Sequence, residues 1–176
     1  MEALDLIASM KPTEELVAAA ADADVTAPLP DGTSLLLAAL TNTDLGARYA
    51  SAQWLLDRGC PLGAPNAEGL TELHVLLGQV KHDIPAARAI AEQLIAIGAD
   101  VNAVSPVSGL VFCDVLWMKH TDEDLEPLYA LWFDQPGVLD LETPADNGRT
   151  PLGIARALPY RASILERMER YLAETT

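Results

Sequence analysis

Two short polar segments contain residue types that could bind a metal ion. Each pairs a histidine with a carboxylate, His82 with Asp83 and His120 with Asp122. Imidazole and carboxylate groups are common zinc ligands, and a bound zinc could activate water for hydrolysis. Solvated loops are the commoner explanation of such segments, so a metal-dependent enzyme is the remote alternative.

Other arrangements that support catalysis are missing from the sequence. It contains no Gly-rich phosphate loop and no C-x-x-C, H-E-x-x-H or G-x-S-x-G motif. Its two cysteines, Cys60 and Cys113, do not have the spacing of a metal site or a disulfide framework. We therefore expect a protein that is not an enzyme and needs no metal or other cofactor.

The polar segments must be positioned by a repeated pattern of helices. Each repeat begins with a turn pair, and the pairs lie 37, 40 and 39 residues apart. These pairs are Asp31-Gly32, Glu68-Gly69, Ser108-Gly109 and Asn147-Gly148. Each is followed by an apolar helical run and then by a second helical run, which Gly59 and Gly98 end in two of the copies.

The helical runs can be placed along the chain. First helices are predicted over 34–40, 71–77, 111–118 and 150–158. Second helices are predicted over 47–57, 85–97, 125–134 and 161–173, and two more helices over 4–9 and 13–21. The enlarged segments between paired helices, at 41–46, 79–85 and 119–127, either lengthen the helices or form loops on the edge opposite the turns. They are either binding features or surface padding.

Three short stretches of the sequence resemble parts of a known repeat family. Gly148-Arg149-Thr150-Pro151-Leu152 and Gly69-Leu70-Thr71-Glu72-Leu73-His74 resemble the turn and first helix of the ankyrin repeat. Gly98-Ala99-Asp100-Val101-Asn102-Ala103 resembles its closing motif. The resemblance implies that His74 makes a structural hydrogen bond between neighbouring turns.

The resemblance covers nearly the whole chain and implies an all-α fold, an ankyrin-repeat solenoid of stacked helix-turn-helix units with short β-turn hairpins. One domain is expected over 1–176, with a capping half-repeat over 1–30. Repeats are expected over 31–67, 68–107 and 108–146, and a C-terminal capping repeat over 147–176.

Charge narrows the class of partner. The net charge is −15, with 23 acidic and 6 basic residues in 1–148 but 3 acidic and 5 basic in 149–176. Such a field repels nucleic acid, and it either attracts a basic protein or serves solubility. The sequence has no membrane-length apolar run and an acidic N-terminus, so we expect a cytoplasmic protein. Its 3 lysines against 8 arginines, with abundant alanine, favour a bacterial-type protein, and we expect it to be monomeric alone.

The resemblance implies that a partner contacts turn tips and the ends of first helices. The candidate partner-binding residues are Asp31, Thr33, Glu68, Leu70, Gln79, Leu110, Trp117, Met118, Lys119, Asn147 and Arg149. The acidic run adds Asp122, Glu123 and Asp124, either as caps of a helix or as an attraction for a basic partner.

The position of the Trp117 side chain has two interpretations. Trp117 stands where the repeat usually has alanine, so its ring either packs in the core or is displayed on the concave side. Trp54 and Trp132 follow the core pattern of second helices.

The leading hypothesis for the function is a protein-binding module, in one version an acidic inhibitor or immunity protein against a basic toxin. The alternative is an intracellular scaffold or regulator that binds through Leu70, Leu110 and Trp117.

Overall fold

The computed structural model describes residues 3–175, so Met1, Glu2 and Thr176 of the predicted domain lie outside the described residues. The described chain is mostly helical, which confirms the all-α class. Its helices follow one another as five pairs. These are α1 (Leu4–Met10) with α2 (Thr13–Ala19), α3 (Leu35–Leu40) with α4 (Leu45–Asp57), α5 (Glu72–Leu77) with α6 (Ile84–Ala96), α7 (Val111–Trp117) with α8 (Asp122–Phe133), and α9 (Pro151–Ala157) with α10 (Ala162–Thr175).

Glycines with positive φ follow three of the second helices and shape the turns between pairs. Gly59, Gly98 and Gly137 follow α4, α6 and α8 with φ of 76°, 109° and 104°. The turn glycines Gly32, Gly69, Gly109 and Gly148 also have positive φ. Glycine adopts this left-handed region without a steric penalty from Cβ, so its spacing in the sequence predicts where the chain reverses.

Consecutive pairs pack against each other along two rows. The first helices α1, α3, α5, α7 and α9 contact one another in order, and the second helices α2, α4, α6, α8 and α10 do the same. The core lies between these rows. In the fourth pair it contains Phe112, whose ring centre is 5.9 Å from that of Tyr129 and 6.1 Å from that of Trp132. This aromatic cluster fixes α7, the helix that carries Trp117.

The hairpins between pairs share one hydrogen-bond pattern. The amides of Leu29, Asn66 and Ala145 donate to carbonyls four residues later, over 2.9 to 3.0 Å. The hairpin of the fourth pair is longer and forms two short antiparallel strands, β1 (Val104–Ser105) and β2 (Gly109–Leu110). Each hairpin leads directly into a first helix, so hairpin tips and first helices share one side of the molecule.

The enlarged segments form both loops and helix. Residues 41–44, 78–83 and 118–121 are loops, whereas α8 begins at Asp122, earlier than predicted. The side chains of Thr121 and Asp124 form a reciprocal capping box that starts α8. Asp83 accepts a hydrogen bond from the Ala86 amide and caps α6 in a simpler way.

The other two tryptophans lie in second helices. Trp132 is buried as predicted, and Trp54 is half-buried with the Arg58 guanidinium 4.3 Å from its ring centre. Within residues 3–175, none of the helices combines the length and the apolar character needed to cross a lipid bilayer.

Candidate protein-binding groove

His74 holds two neighbouring hairpins together at the base of a groove. Its ring is buried, and Nε2 lies 2.9 Å from the Gly109 carbonyl oxygen of the next hairpin. Because a carbonyl only accepts, Nε2 carries the proton and Nδ1 accepts from the Thr71 hydroxyl at 2.9 Å. Burial lowers the pKa of His74, which favours this neutral form. The expected structural role of His74 is confirmed.

The groove lies between the hairpin tips of the third, fourth and fifth pairs and the first helices α5 and α7. It encloses about 390 Å³ and spans three hairpins. Its lining residues are Thr41, Asn66, Glu68, Leu70, His74, Val75, Gly78, Gln79, Val107, Ser108, Asp114, Trp117 and Arg149. We call this feature the inner groove. Its volume is within the usual range for a binding cleft.

Trp117 forms one wall of the inner groove. Its side chain is 48% exposed, so the displayed position is correct and the core position is wrong. The Arg149 guanidinium lies 5.6 Å from the ring centre, within the range of a cation–π contact. Trp117 also lines a smaller hollow of about 240 Å³ with Val80, and a wider cleft of about 700 Å³ with Tyr160. One exposed indole therefore borders three adjoining depressions.

Asp114 lies in the wall that the inner groove shares with the Val80 hollow. The Ser108 hydroxyl donates to its Oδ1, whereas its Oδ2 is buried and has no hydrogen-bond partner. Burial raises the pKa of this carboxyl to about 7, against the smaller opposing effect of the Ser108 hydrogen bond. A buried acceptor without a donor is costly, so its presence at a groove needs a reason.

The structure brings some of the predicted partner-binding residues together. Glu68, Leu70, Gln79, Trp117 and Arg149 all line the inner groove. The predicted residues that lie outside this lining but at least partly exposed are Asp31, Lys119, Asp122, Glu123, Asp124 and Asn147.

Three predicted contact residues are buried. Thr33, Leu110 and Met118 are each at most 5% exposed, so the expectation that they form a surface is wrong. The Thr33 hydroxyl turns back to donate to Asp31. Leu110 ends the longer hairpin and joins the core, because β2 leads directly into α7.

The acidic run at the start of α8 is mostly engaged within the molecule. Asp122 forms an ion pair with Arg161 at 3.1 Å, and Glu126 pairs with Arg167 at 2.7 Å. Asp124 caps its own helix. Arg161 and Arg167 thus neutralise part of the run.

Arg161 is a buried side chain that the sequence analysis missed. It is completely buried, and its guanidinium donates to the carbonyl oxygens of Leu116, Met118 and His120 as well as to Asp122. Arg48 is buried in a similar way and donates to the carbonyls of Asn42 and Lys81. These arginines fix the loops between paired helices.

A signal for these arginines was present in the sequence. Arg48 lies in the first turn or so of α4, and Arg161 comes directly before α10. A cation near a helix N-terminus is opposed by the helix dipole, so it requires another source of stabilisation. Asp114 had a signal too, because it is a single carboxylate inside an otherwise apolar run.

The two histidine segments meet without forming the predicted ligand set. The ring centres of His82 and His120 are 6.5 Å apart. Asp83 and Asp122 are occupied with the α6 cap and with Arg161. Across residues 3–175, no three His, Cys, Asp or Glu side chains converge as metal ligands.

Comparison with known proteins bears on the fold. No protein-family model matches the chain, and no curated protein does. Among solved structures, a functionally unknown protein from Leptotrichia buccalis C-1013-b superposes with a TM-score of 0.82. The two are 22% identical, and the match covers 98% of this chain and 93% of that one. The chain therefore shares its fold with a protein of unknown function.

Proposed function

We propose that this chain is a non-enzymatic protein-binding module built as an ankyrin-type solenoid, and that its partner lies along the inner groove. The architecture is supported by the ordered contacts within both rows of helices and by the alternating positive-φ glycines. The His74 bridge between hairpins supports it as well. Stacked units present a continuous surface, which suits recognition of another protein.

The exposed indole of Trp117 is the observation that carries this proposal. Tryptophan is among the residues most enriched at binding hot spots, and it contributes most where surrounding contacts exclude water. The exposed Val80 and Val107 and the half-buried Leu70 lie around the same depressions. A partner that covers this apolar rim would remove Trp117 from water.

The net charge of −15 favours a basic partner. Long-range attraction between opposite charges accelerates association and selects against acidic proteins. The inhibitor version, in which the chain neutralises a basic toxin, remains the most concrete form of this proposal. Its local carboxylates are Glu68 and Asp114 of the inner groove rather than the acidic run, because Asp122 is already paired with Arg161.

The scaffold alternative is favoured by the apolar rim. Contacts through Leu70, Trp117 and Val107 need no charge, so binding would be nearly independent of salt. In the basic-partner version, affinity falls as the salt concentration rises because screening shortens the range of the attraction. Measuring the affinity for the partner protein at increasing salt concentration distinguishes the basic-partner version from the scaffold alternative.

Site-specific photo-cross-linking tests the proposed face. Val80 and Val138 are a matched pair, since both are valines, 85% and 73% exposed, and lie at different depressions. A photo-reactive amino acid at position 80, in cells of the native organism, should give a discrete cross-linked protein that position 138 does not give. Equal products from both positions, or none from position 80, would refute the proposal.

A further inference from the structure

The carboxylate of Asp114 is prepared for a donor that the chain itself does not supply. Its Oδ1 accepts from Ser108, and its Oδ2 is buried without a partner. Arg149 is a nearby cation, but its guanidinium lies over the Trp117 ring. The Oδ2 acceptor therefore stays empty although an arginine lines the same groove.

The neighbours of Asp114 would suit a long cationic side chain. Glu68 adds a second carboxylate to the inner groove, while Trp117 and Val75 provide apolar surface. The stem of a lysine or arginine packs on apolar groups while its head stays near charge. The contact between Arg149 and Trp117 demonstrates that this indole accepts a guanidinium on its face.

We infer that the inner groove binds an arginine or lysine side chain of the partner, with its cationic head donating to Asp114 Oδ2 and its stem packing on Trp117. This inference rests on the proposed function and names the chemistry of its central contact. Since Oδ2 is shielded from water, side chains at the rim must shift when the donor enters. Trp117 is exposed enough to report that shift.

A cation satisfies Asp114 better than a neutral donor does. Burial disfavours the ionised carboxylate, and an incoming positive charge compensates that cost directly. Charge-assisted hydrogen bonds are also about twice as strong as neutral ones. A neutral donor of the same shape would supply the hydrogen bond without the charge, and this difference is measurable.

The test uses two small probes of nearly equal shape, N-acetylarginine methylamide and the uncharged N-acetylcitrulline methylamide. Each is titrated at constant ionic strength into the isotopically labelled full chain, and the Trp117 indole N–H signal is followed by NMR. We expect the arginine probe to bind about tenfold more tightly than the citrulline probe, as one charge-assisted contact implies. Equal affinities would overturn the inference without requiring any variant.

A matched pair of variants locates the contact. Asp114→Asn and Glu123→Gln each remove one carboxylate, but Glu123 is an exposed residue outside the groove lining. Asp114→Asn should reduce arginine affinity to the citrulline level, and Glu123→Gln should leave it within about twofold, as expected for a screened distant charge. An equal loss in both variants would mean general attraction to an acidic protein and would refute the site.

The two proposals can fail separately. Cross-links from position 80 together with probes that bind equally would refute the cation site and leave the protein-binding function standing. If position 80 gives no cross-link, the proposed function itself is refuted.

Discussion

Arg161, which is fully buried, and Asp114, which is partly buried in α7, are both ionisable side chains, but their surroundings differ sharply. The Arg161 guanidinium meets three backbone carbonyls and the Asp122 carboxylate, so its donors have partners on several sides. The Asp114 carboxylate accepts one hydrogen bond and keeps one buried oxygen empty. The first lies at the loops between paired helices, and the second lies at the inner groove.

This difference separates a structural role from a binding role. A buried charge whose hydrogen bonds are all made inside the chain stabilises one conformation and has nothing left to offer a ligand. A buried charge with an empty acceptor lowers stability until something binds it. Arg161 therefore has a structural role, whereas Asp114 keeps one acceptor for a donor at the inner groove.

The largest expected effect comes from removing Arg161. Arg161→Ala should lower the free energy of unfolding by about 3–5 kcal/mol, because Asp122 and three carbonyl oxygens lose their donor. Urea denaturation measures this loss. Arg170→Ala is the control, since its ion pair with Glu166 is exposed and should contribute at most about 1 kcal/mol. Similar losses of unfolding free energy in the two variants would contradict the claim that Arg161 stabilises the fold more than an exposed ion pair does.

A smaller effect concerns the pH dependence of stability. The pKa of Asp114 is raised from 3.8 to about 7 on folding, so between these pH values the folded chain holds more protons than the unfolded chain. Stability from the neutral carboxyl is therefore complete below about pH 4 and is lost as the pH rises through about 7.

Asp114→Asn removes this dependence. The difference in unfolding free energy between the variant and the original chain should change by about 2–4 kcal/mol from pH 4 to pH 8, in favour of the variant at pH 8. Taking the difference cancels the contributions of other titrating groups, such as His74. A constant difference across this range would mean that Asp114 is an ordinary carboxylate.

Much of the fold could be predicted from local sequence signals. Positive-φ glycines and turn pairs mark chain reversals because few other residues tolerate that backbone conformation. The predicted helices therefore agree with the observed ones within a few residues at most ends. The early start of α8 was also encoded locally, in the capping pair Thr121 and Asp124.

The smallest expected effect on stability is that of Trp117. Because its side chain is 48% exposed, Trp117→Ala should cost no more than about 1 kcal/mol of unfolding free energy. Trp132→Ala, at a fully buried position, should cost about 3–5 kcal/mol. If the two losses are equal, Trp117 is a packing residue, and the groove loses its proposed anchor.

Less of the groove could be predicted, because its properties depend on how pairs stack. Position within a repeat suggested that Leu110 and Met118 are exposed, but Leu110, at the end of the longer hairpin, and Met118, directly after α7, are both buried. The empty acceptor of Asp114 arises from distance to residues on other elements, which no local pattern records. The role of Arg161 could not be predicted from a local pattern either. The carbonyl groups that it binds, those of Leu116, Met118 and His120, lie more than forty positions earlier in the sequence.

The most direct test of this account is a carboxyl-carbon NMR titration of Asp114, whose resonance is assigned by its loss in Asp114→Asn. In the free chain the midpoint should lie near pH 7. Adding N-acetylarginine methylamide should lower that midpoint, because a ligand that binds the ionised form stabilises it. A midpoint near the ordinary 3.8, or one that the arginine probe leaves unchanged, would contradict the claim that Asp114 is an open cation site.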